Sequence, residues 1–312
     1  MTGTGAASSP FRFFGVSVSG IEDVTPHLRR FTFEGPDLDD FANPGLDQRI
    51  KLVLPAPSSG YRSLPDGDDW YPQWRRLGDE EHPPIRTYTT RAVRRGTAGT
   101  RVDVDMVVHA PLGPASQWIS TARAGDAVVL LGPSRSWSAA RPDEPPAGVD
   151  FVPPAITERF LLGGDETAAP AIARILQDLD AGARGIAVVE LPSSADAGYL
   201  PAHPGIEVRA LGRDGRAHGE LLVEGVREAA ARLCPEGAPG RIEETDMDHD
   251  LLWDVPRTAR GGAALRRTSL YAWLAGEAAA VRAMRRHLVG ERGIDRRAVA
   301  FMGYWRLGRA EN

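Results

Sequence analysis

Arg86-Thr87-Tyr88-Thr89-Thr90-Arg91 sets two permanent cations, an aromatic ring and three threonine hydroxyls within one short stretch. In an extended strand alternate side chains share a face, so Arg86 and Tyr88 point the same way. A guanidinium grips phosphate through two parallel hydrogen bonds. A tyrosine ring can cover a flat heterocycle, and Thr89 can offer its N–H and hydroxyl to a heteroatom at that ring's edge. Phosphate joined to a planar redox ring describes a flavin dinucleotide. The same residue types also suit an ordinary exposed strand, so the rest of the chain must decide between the two.

A second stretch is Asp105 to Trp118, DMVVHAPLGPASQW. A strand ending near His109 leads through Gly113-Pro114-Ala115-Ser116 into a short helix, with Pro114 suited to the first turn. Unpaired backbone N–H groups and the dipole at a helix start bind phosphate without side chains. A plain strand–turn–helix would read the same way. His109 has no His or Cys beside it, so it signals no metal site; it is either a cofactor contact or a structural histidine.

Gly163-Gly164-Asp165-Glu166-Thr167 joins a short apolar strand to a helix. The glycines allow close backbone approach at the edge where open parallel sheets bind ligands. The pattern is not G-x-G-x-x-G, and two acids would repel a pyrophosphate, so an Asp/Glu/Thr helix cap competes with it. Trp273-Leu-Ala-Gly276-Glu277 forms a similar strand–helix junction. Phe301-Met-Gly-Tyr304-Trp305-Arg-Leu-Gly308 ends the chain with an aromatic pair. Its residues alone favour packing over folding back across a cofactor ring.

These motifs sit on two kinds of element. Phe11–Ser19, Leu28–Phe33, Gln48–Leu54, Arg86–Arg91, Val102–His109 and Ala127–Leu131 read as six short strands separated by Gly and Pro, which predicts an antiparallel barrel. Pro55–Pro84 is long for a loop, hence functional or mobile. From Phe160 onward strands alternate with helices at Ala168–Leu179, Leu221–Leu233 and Ala278–Val289, which predicts βαβ units and a parallel sheet. The expected division is a barrel domain over 1–137, a Pro-rich linker over 138–158 and an α/β domain over 159–312.

At 312 residues the chain is long enough for two domains. Its net charge of −5 gives no case for nucleic acid or an anionic membrane. No apolar run reaches the roughly 20 residues of a membrane helix, and the first residues lack the charged and apolar regions of a signal peptide. The single cysteine, Cys234, excludes an intrachain disulfide or thiolate cluster. A cytoplasmic monomer is the expectation. Lys51 is the only lysine among the basic residues.

Taken in order, Arg-x-Tyr-Thr-x-Arg, His-x-x-x-Gly-Pro-Ala-x-x-Trp, Gly-Asp-Glu-Thr-Ala-x-Pro-Ala-Ile, Trp-x-Ala-Gly-Glu and Gly-Tyr-Trp-Arg-x-Gly resemble the siderophore-interacting proteins, across residues 11–309. These are FAD-dependent ferric-siderophore reductases of the ferredoxin–NADP reductase superfamily. The resemblance implies that Arg86 holds the flavin phosphate, with Thr87 beside it, Tyr88 stacking on the ring and Thr89 at its N5 edge. It implies that Asp105, Val107 and His109 line the cofactor and that Gly113, Pro114, Ala115 and Ser116 form the pyrophosphate loop. Thr167, Tyr304 and Trp305 would approach the flavin, and Gly164, Asp165, Glu166, Gly276 and Glu277 would serve NAD(P)H. Hydride would pass from NAD(P)H to FAD, and single electrons from FAD to a ferric siderophore. Lys51 and Arg91 are candidate cations for an anionic ferric complex. No metal site is expected. The alternatives are a FAD-containing siderophore-binding protein without turnover and a general NAD(P)H–flavin reductase. The loops at 55–84, 138–158 and 235–262 exceed the family's core.

Overall fold

Alternation of apolar and polar residues sets the first half of the chain. The computed structural model describes residues 9–108, 113–234 and 253–308. The chain divides into two units, one of Met1–Val24 with Leu28–Val149 and one of Thr25–His27 with Asp150–Glu311.

In the first unit, the strands β1 (Phe11–Thr25), β2 (Leu28–Glu34), β3 (Arg49–Val53), β4 (Ile85–Thr89), β5 (Ala92–Gly96), β6 (Gly99–Val107) and β7 (Ala127–Pro133) form one curled sheet in the order β4-β3-β7-β1-β2-β6-β5. Every registered pair in it is antiparallel. Phe14, Val16, Val18, Phe31, Phe33, Ile50, Leu52, Val102, Val104, Met106, Val128 and Leu130 all point into one core. The period of two is thus the cause of the curl's apolar lining. The sheet has seven strands, not six. The run expected to end at Arg91 stops at Thr89, and Ala92–Gly96 turns back as a hairpin on β6, with Gly99 at φ +98° in the turn.

On the other face of this sheet, two carboxylates are buried and paired. Asp105 accepts from Arg30 at 2.7 and 2.8 Å and lies 3.5 Å from Arg91 Nε. Asp103 accepts from Arg94 at 2.6 Å and from Thr32 Oγ1 at 2.8 Å.

The long loop after β3 is packed. Its helix α1 (Trp70–Trp74) sets Trp70 5.1 Å from Phe13 and buries Trp74, whose indole N–H donates to Pro83 O at 2.9 Å. Helix α2 (Pro114–Thr121) follows β6, and α3 (Arg135–Ala140) follows β7. The stretch expected as a linker therefore begins inside α3. Within it, Val149, Asp150 and Phe151 are buried.

The second unit carries β8 (Ile156–Thr157), β9 (Phe160–Gly164), α4 (Ala169–Asp178), β10 (Gly185–Leu191), β11 (Ile206–Gly212), α5 (Glu220–Leu233), β12 (Trp253–Asp254), β13 (Arg267–Thr268), β14 (Tyr271–Glu277), α6 (Ala278–Arg285) and β15 (Val299–Trp305). Its main sheet runs β11-β10-β9-β14-β15-β12, parallel throughout except for β12 at the edge. Helices α5 and α6 pack on one face through Leu222, Val226, Val281 and Met284. A Cβ at Gly163 would meet that layer, and one at Gly164 would meet Ala168 and Ile172 at the start of α4. The helices thus cover both faces. The chain leaves β9 for one side and β14 for the other, so the two adjacent strands form a topological switch point. The aromatic tail is part of this sheet: Phe301 to Trp305 continue β15 beside β14.

Candidate functional site

In the first unit, the register Ile50↔Tyr88, Lys51↔Thr87 and Leu52↔Arg86 sorts the β4 motif onto two faces. Arg86 and Tyr88 share the face of the buried Ile50 and Leu52. Tyr88 is half-buried against the barrel core, and Ala115 and Trp118 of α2 and Val108 after β6 pack on the same core. The sheet therefore brings the β4 and α2 motifs to one apolar body. Arg86 is half-buried and donates to Ile85 O at 2.9 Å.

Gly113 caps α2 with extended backbone and no side-chain hydrogen bond, and a Cβ placed on it would meet nothing within 4 Å. The first N–H groups of α2 consequently have no side-chain cap, the arrangement that receives an anion. A guanidinium, an aromatic face and an open helix start fit a flavin dinucleotide. Pro114, Ala115 and Ser116 form the first turn of this helix.

The remaining first-unit residues are placed otherwise. Thr87 lies on the face opposite Tyr88, where its hydroxyl accepts from Lys51 Nζ at 2.6 Å. Thr89 is buried on that same face, opposite Arg49. The Arg91 side chain is 12% exposed beside Asp105. That geometry belongs to a strand-clamping ion pair rather than a solvent-facing mouth, because Asp105 is fully buried and its two nearest cations neutralise it. Asp105 thus ties β6 to β2 and Arg91. Val107 is buried opposite Leu28. His109 lies outside the described residues.

In the second unit, the carboxyl ends of β9, β10, β14 and β15 meet in a polar network. Asp165 is fully buried and accepts four hydrogen bonds: Thr167 N at 2.9 Å and Thr167 Oγ1 at 2.5 Å on one oxygen, Glu277 N at 2.7 Å and Trp305 Nε1 at 2.9 Å on the other. Glu166 is gripped by both arms of Arg213, at 2.7 and 2.8 Å. Arg213 also donates to Glu190 at 3.1 Å. Glu190 in turn accepts from Gly219 N and Leu222 N and so caps α5. Glu277 caps α6 through Ala279 N and Ala280 N and accepts from Leu307 N. Tyr304 stacks on Trp253, 5.6 Å away.

Burial and the adjacent Glu166 push the Asp165 carboxyl upward from its usual range. Burial works in the same direction on Glu166, but His218 and Arg213 outweigh it and hold that group at about 2. His218 Nε2 lies 3.6 Å from Asp165 and 3.5 Å from Glu166. Residues 165 and 166, read from the sequence as a helix cap or ligand loop, are therefore both the fastener of the strand ends and the floor of the edge where a ligand would sit. Neither His218 nor Arg213 was anticipated. Each lies in the loop between β11 and α5, where no spacing signal tied it to residues 165 and 166.

Gly276 is where the network demands a glycine. Its φ is +138°, and a Cβ there would approach Asp165 Oδ2 to 2.6 Å. The sheet register also shifts between Gly276 and Glu277. Gly276→Ala is expected to cost about 1–3 kcal/mol in backbone strain, with the clash in addition. A urea melt checks it; an unchanged midpoint would mean that the loop relaxes freely.

Comparison with known proteins gives a consistent picture. Residues 157–308 match the siderophore-interacting protein family, and residues 17–137 match its siderophore-interacting FAD-binding domain. An uncharacterized protein of Mycobacterium tuberculosis is 30% identical over 98% of this chain and 93% of its own length. The ferric vibriobactin reductase of Vibrio cholerae is 26% identical over 92% of this chain and 87% of its own. The crystal structure of a siderophore-interacting protein from Aeromonas hydrophila superposes with a TM-score of 0.67 at 27% identity, covering 97% and 95% of the two chains.

Proposed function

The chain belongs to the siderophore-interacting protein family, and from that premise we infer that it is a ferric-siderophore reductase that takes electrons from NAD(P)H through bound FAD. The observation that carries the reading is the convergence of Tyr88 and the open start of α2 on one core in a unit that matches the family's FAD-binding domain. Related proteins named as ferric vibriobactin and ferric acinetobactin reductases support the same substrate class.

FAD supplies the conversion between a two-electron hydride donor and one-electron ferric acceptors. The chain's own residues do the rest. Arg86 and the N–H groups of Ala115 and Ser116 would hold the diphosphate and Tyr88 would cover the ring, while Thr89, buried on the opposite face of β4, would support the strand from behind. In the second unit the β9–α4 loop from Gly164 to Thr167 and the β14 end at Gly276 and Glu277 form the nucleotide edge. Asp165 and Glu166 act there by fixing the backbone, since their oxygens are already committed. Trp305 is held in the same edge by its bond to Asp165.

Siderophore oxygens hold Fe(III) far better than Fe(II), so reduction releases the metal. Lys51 is the cation for an anionic ferric complex, and Arg91 contributes by keeping the β4–β6 corner in place. No helix among the described residues is long and apolar enough to cross a membrane. The cytoplasm and a monomeric state belong to this reading as well.

The test compares acceptors. Anaerobic protein reduced with NADH or NADPH should be reoxidised faster by a ferric siderophore than by free flavin. The reverse order would make it a general flavin reductase, and no oxidation of NAD(P)H with either acceptor would leave a binding protein.

A further inference from the structure

Asp165 and Glu166 are adjacent, buried carboxylates, and such a pair stays ionised only with positive charge beside it. Arg213 takes Glu166 through both of its oxygens. Among the described residues, the only ion-pair partner of Asp165 is His218. The imidazole is 13% exposed, and its Nε2 faces Asp165 Oδ2 at 3.6 Å and Glu166 Oε2 at 3.5 Å, ion-pair rather than hydrogen-bond lengths. The ring also stands edge-on to Trp305, with centroids 4.8 Å apart at 85°. That indole bonds the same Asp165 oxygen, which also takes Glu277 N. One carboxylate oxygen therefore joins His218, the end of β14 and the end of β15.

We propose that His218 is a positioning residue for the nicotinamide-nucleotide edge: as the imidazolium it balances the buried charge of Asp165 and so holds Trp305 and the β9–α4 loop in place. Among the described residues, neither ring nitrogen has a hydrogen-bond partner. A neutral ring with its proton on Nδ1 would aim a lone pair at two carboxylates. One with its proton on Nε2 would leave the other nitrogen buried and unsatisfied. In the charged ring Nδ1 is no better satisfied, but Nε2–H then faces Asp165 and Glu166 with a positive charge, which neither neutral form supplies. The groups that face it are Asp165 and Glu166 from the β9–α4 loop and Arg213 from the loop after β11. Glu220, Glu224 and Arg227 of α5 and Glu277 of β14 line with it a groove of about 720 Å³. Burial lowers the His218 pKa, but Glu166 and Asp165 outweigh that, and the net direction is upward from 6.5. The sign follows: a raised pKa means the contribution is complete below the unfolded value of 6.5 and is lost as pH rises through the folded value.

The kinetic half of this proposal rests on the reductase reading; the structural half does not. The FAD-loaded protein is titrated by NMR from about pH 5.5 to about pH 9.5, across the range in which a histidine raised from its ordinary value changes charge. Signals are assigned with His218→Gln and Trp305→Phe. The Trp305 indole N–H is expected to move with the same midpoint as His218, above pH 6.5, and to stay still in His218→Gln. Across that midpoint the KM for NAD(P)H should rise on the order of fivefold, the low end of coupling between linked sites. His218→Gln should show the high KM at every pH. His218→Lys, whose ordinary pKa lies above this range and which would face the same two carboxylates, should show the low one. An indole signal that does not move, or that moves equally in His218→Gln, overturns the proposal, as does a KM that stays flat while His218 titrates. Should neither substitution fold, the titration of the unsubstituted protein alone still decides it. If no nucleotide reduces the flavin at any pH, the reductase reading falls, while linked shifts of His218 and Trp305 would uphold the positioning contact.

Discussion

Arg213→Ala is expected to destabilise the protein by about 3–5 kcal/mol, the cost of removing one partner of a buried ion pair. The substitution strands Glu166, 2% exposed, and Glu190, fully buried, without their shared cation. For a protein of this size that corresponds to a fall in Tm of roughly 6–20 °C. Glu166→Gln should cost less, because Arg213 keeps Glu190. The acid limb provides a second check. With its pKa held from 4.5 down to about 2, Glu166 contributes stability that is present above pH 4.5 and lost as pH falls toward 2. Arg213→Ala should flatten that limb. Calorimetry of both variants decides it. A shift in Tm of less than about 2 °C for Arg213→Ala would show that the strand ends are held by backbone pairing alone.

Arg86→Ala should weaken FAD binding about 10- to 150-fold, because a charge-assisted hydrogen bond contributes about 1.5–3 kcal/mol. Tyr88→Phe should change it far less. The phenyl ring keeps the stacking face, and the packing of residue 88 against the barrel core needs no hydroxyl. Titration of the apo-protein calorimetrically measures both. Equal losses in the two variants would remove the division of roles between phosphate and ring.

The fold was legible wherever local rhythm is strong. β10 lies where GIAVVEL placed it, and α5 starts one residue from the expected position. α5 has an apolar side long enough to show its period, and β10 is a short continuous apolar run opened by Gly185 and followed by Pro192, which reads as a buried strand. The seventh barrel strand was hidden because Ala92–Gly96 has only intermediate or exposed residues, so no period of two appears. β15 read as a tail because FMGYW is apolar throughout, as a strand covered on both faces must be, and such a run shows no alternation.

The candidate site was legible in its motifs and not in its partners. Arg86, Tyr88 and Gly113 announce themselves by type and spacing. The cations that make Asp165 and Glu166 tolerable inside the protein come from residues 213 and 218, about 50 positions away. Only the parallel crossover from β9 through β10 and β11 brings them back. Arg91 shows the converse: its charge suggested a substrate cation, and a buried Asp105 on a neighbouring strand has already claimed it.

The central claim is the passage of electrons from NAD(P)H through FAD to chelated iron. Anaerobic protein, its FAD reduced with one equivalent of NAD(P)H, is mixed with excess ferric siderophore and a ferrous-specific chelator. Reoxidation of the flavin should proceed with about two Fe(II) captured per FAD, since the cofactor stores two electrons and each iron takes one. Flavin that stays reduced in the presence of every ferric siderophore, with no Fe(II) captured, would contradict the account.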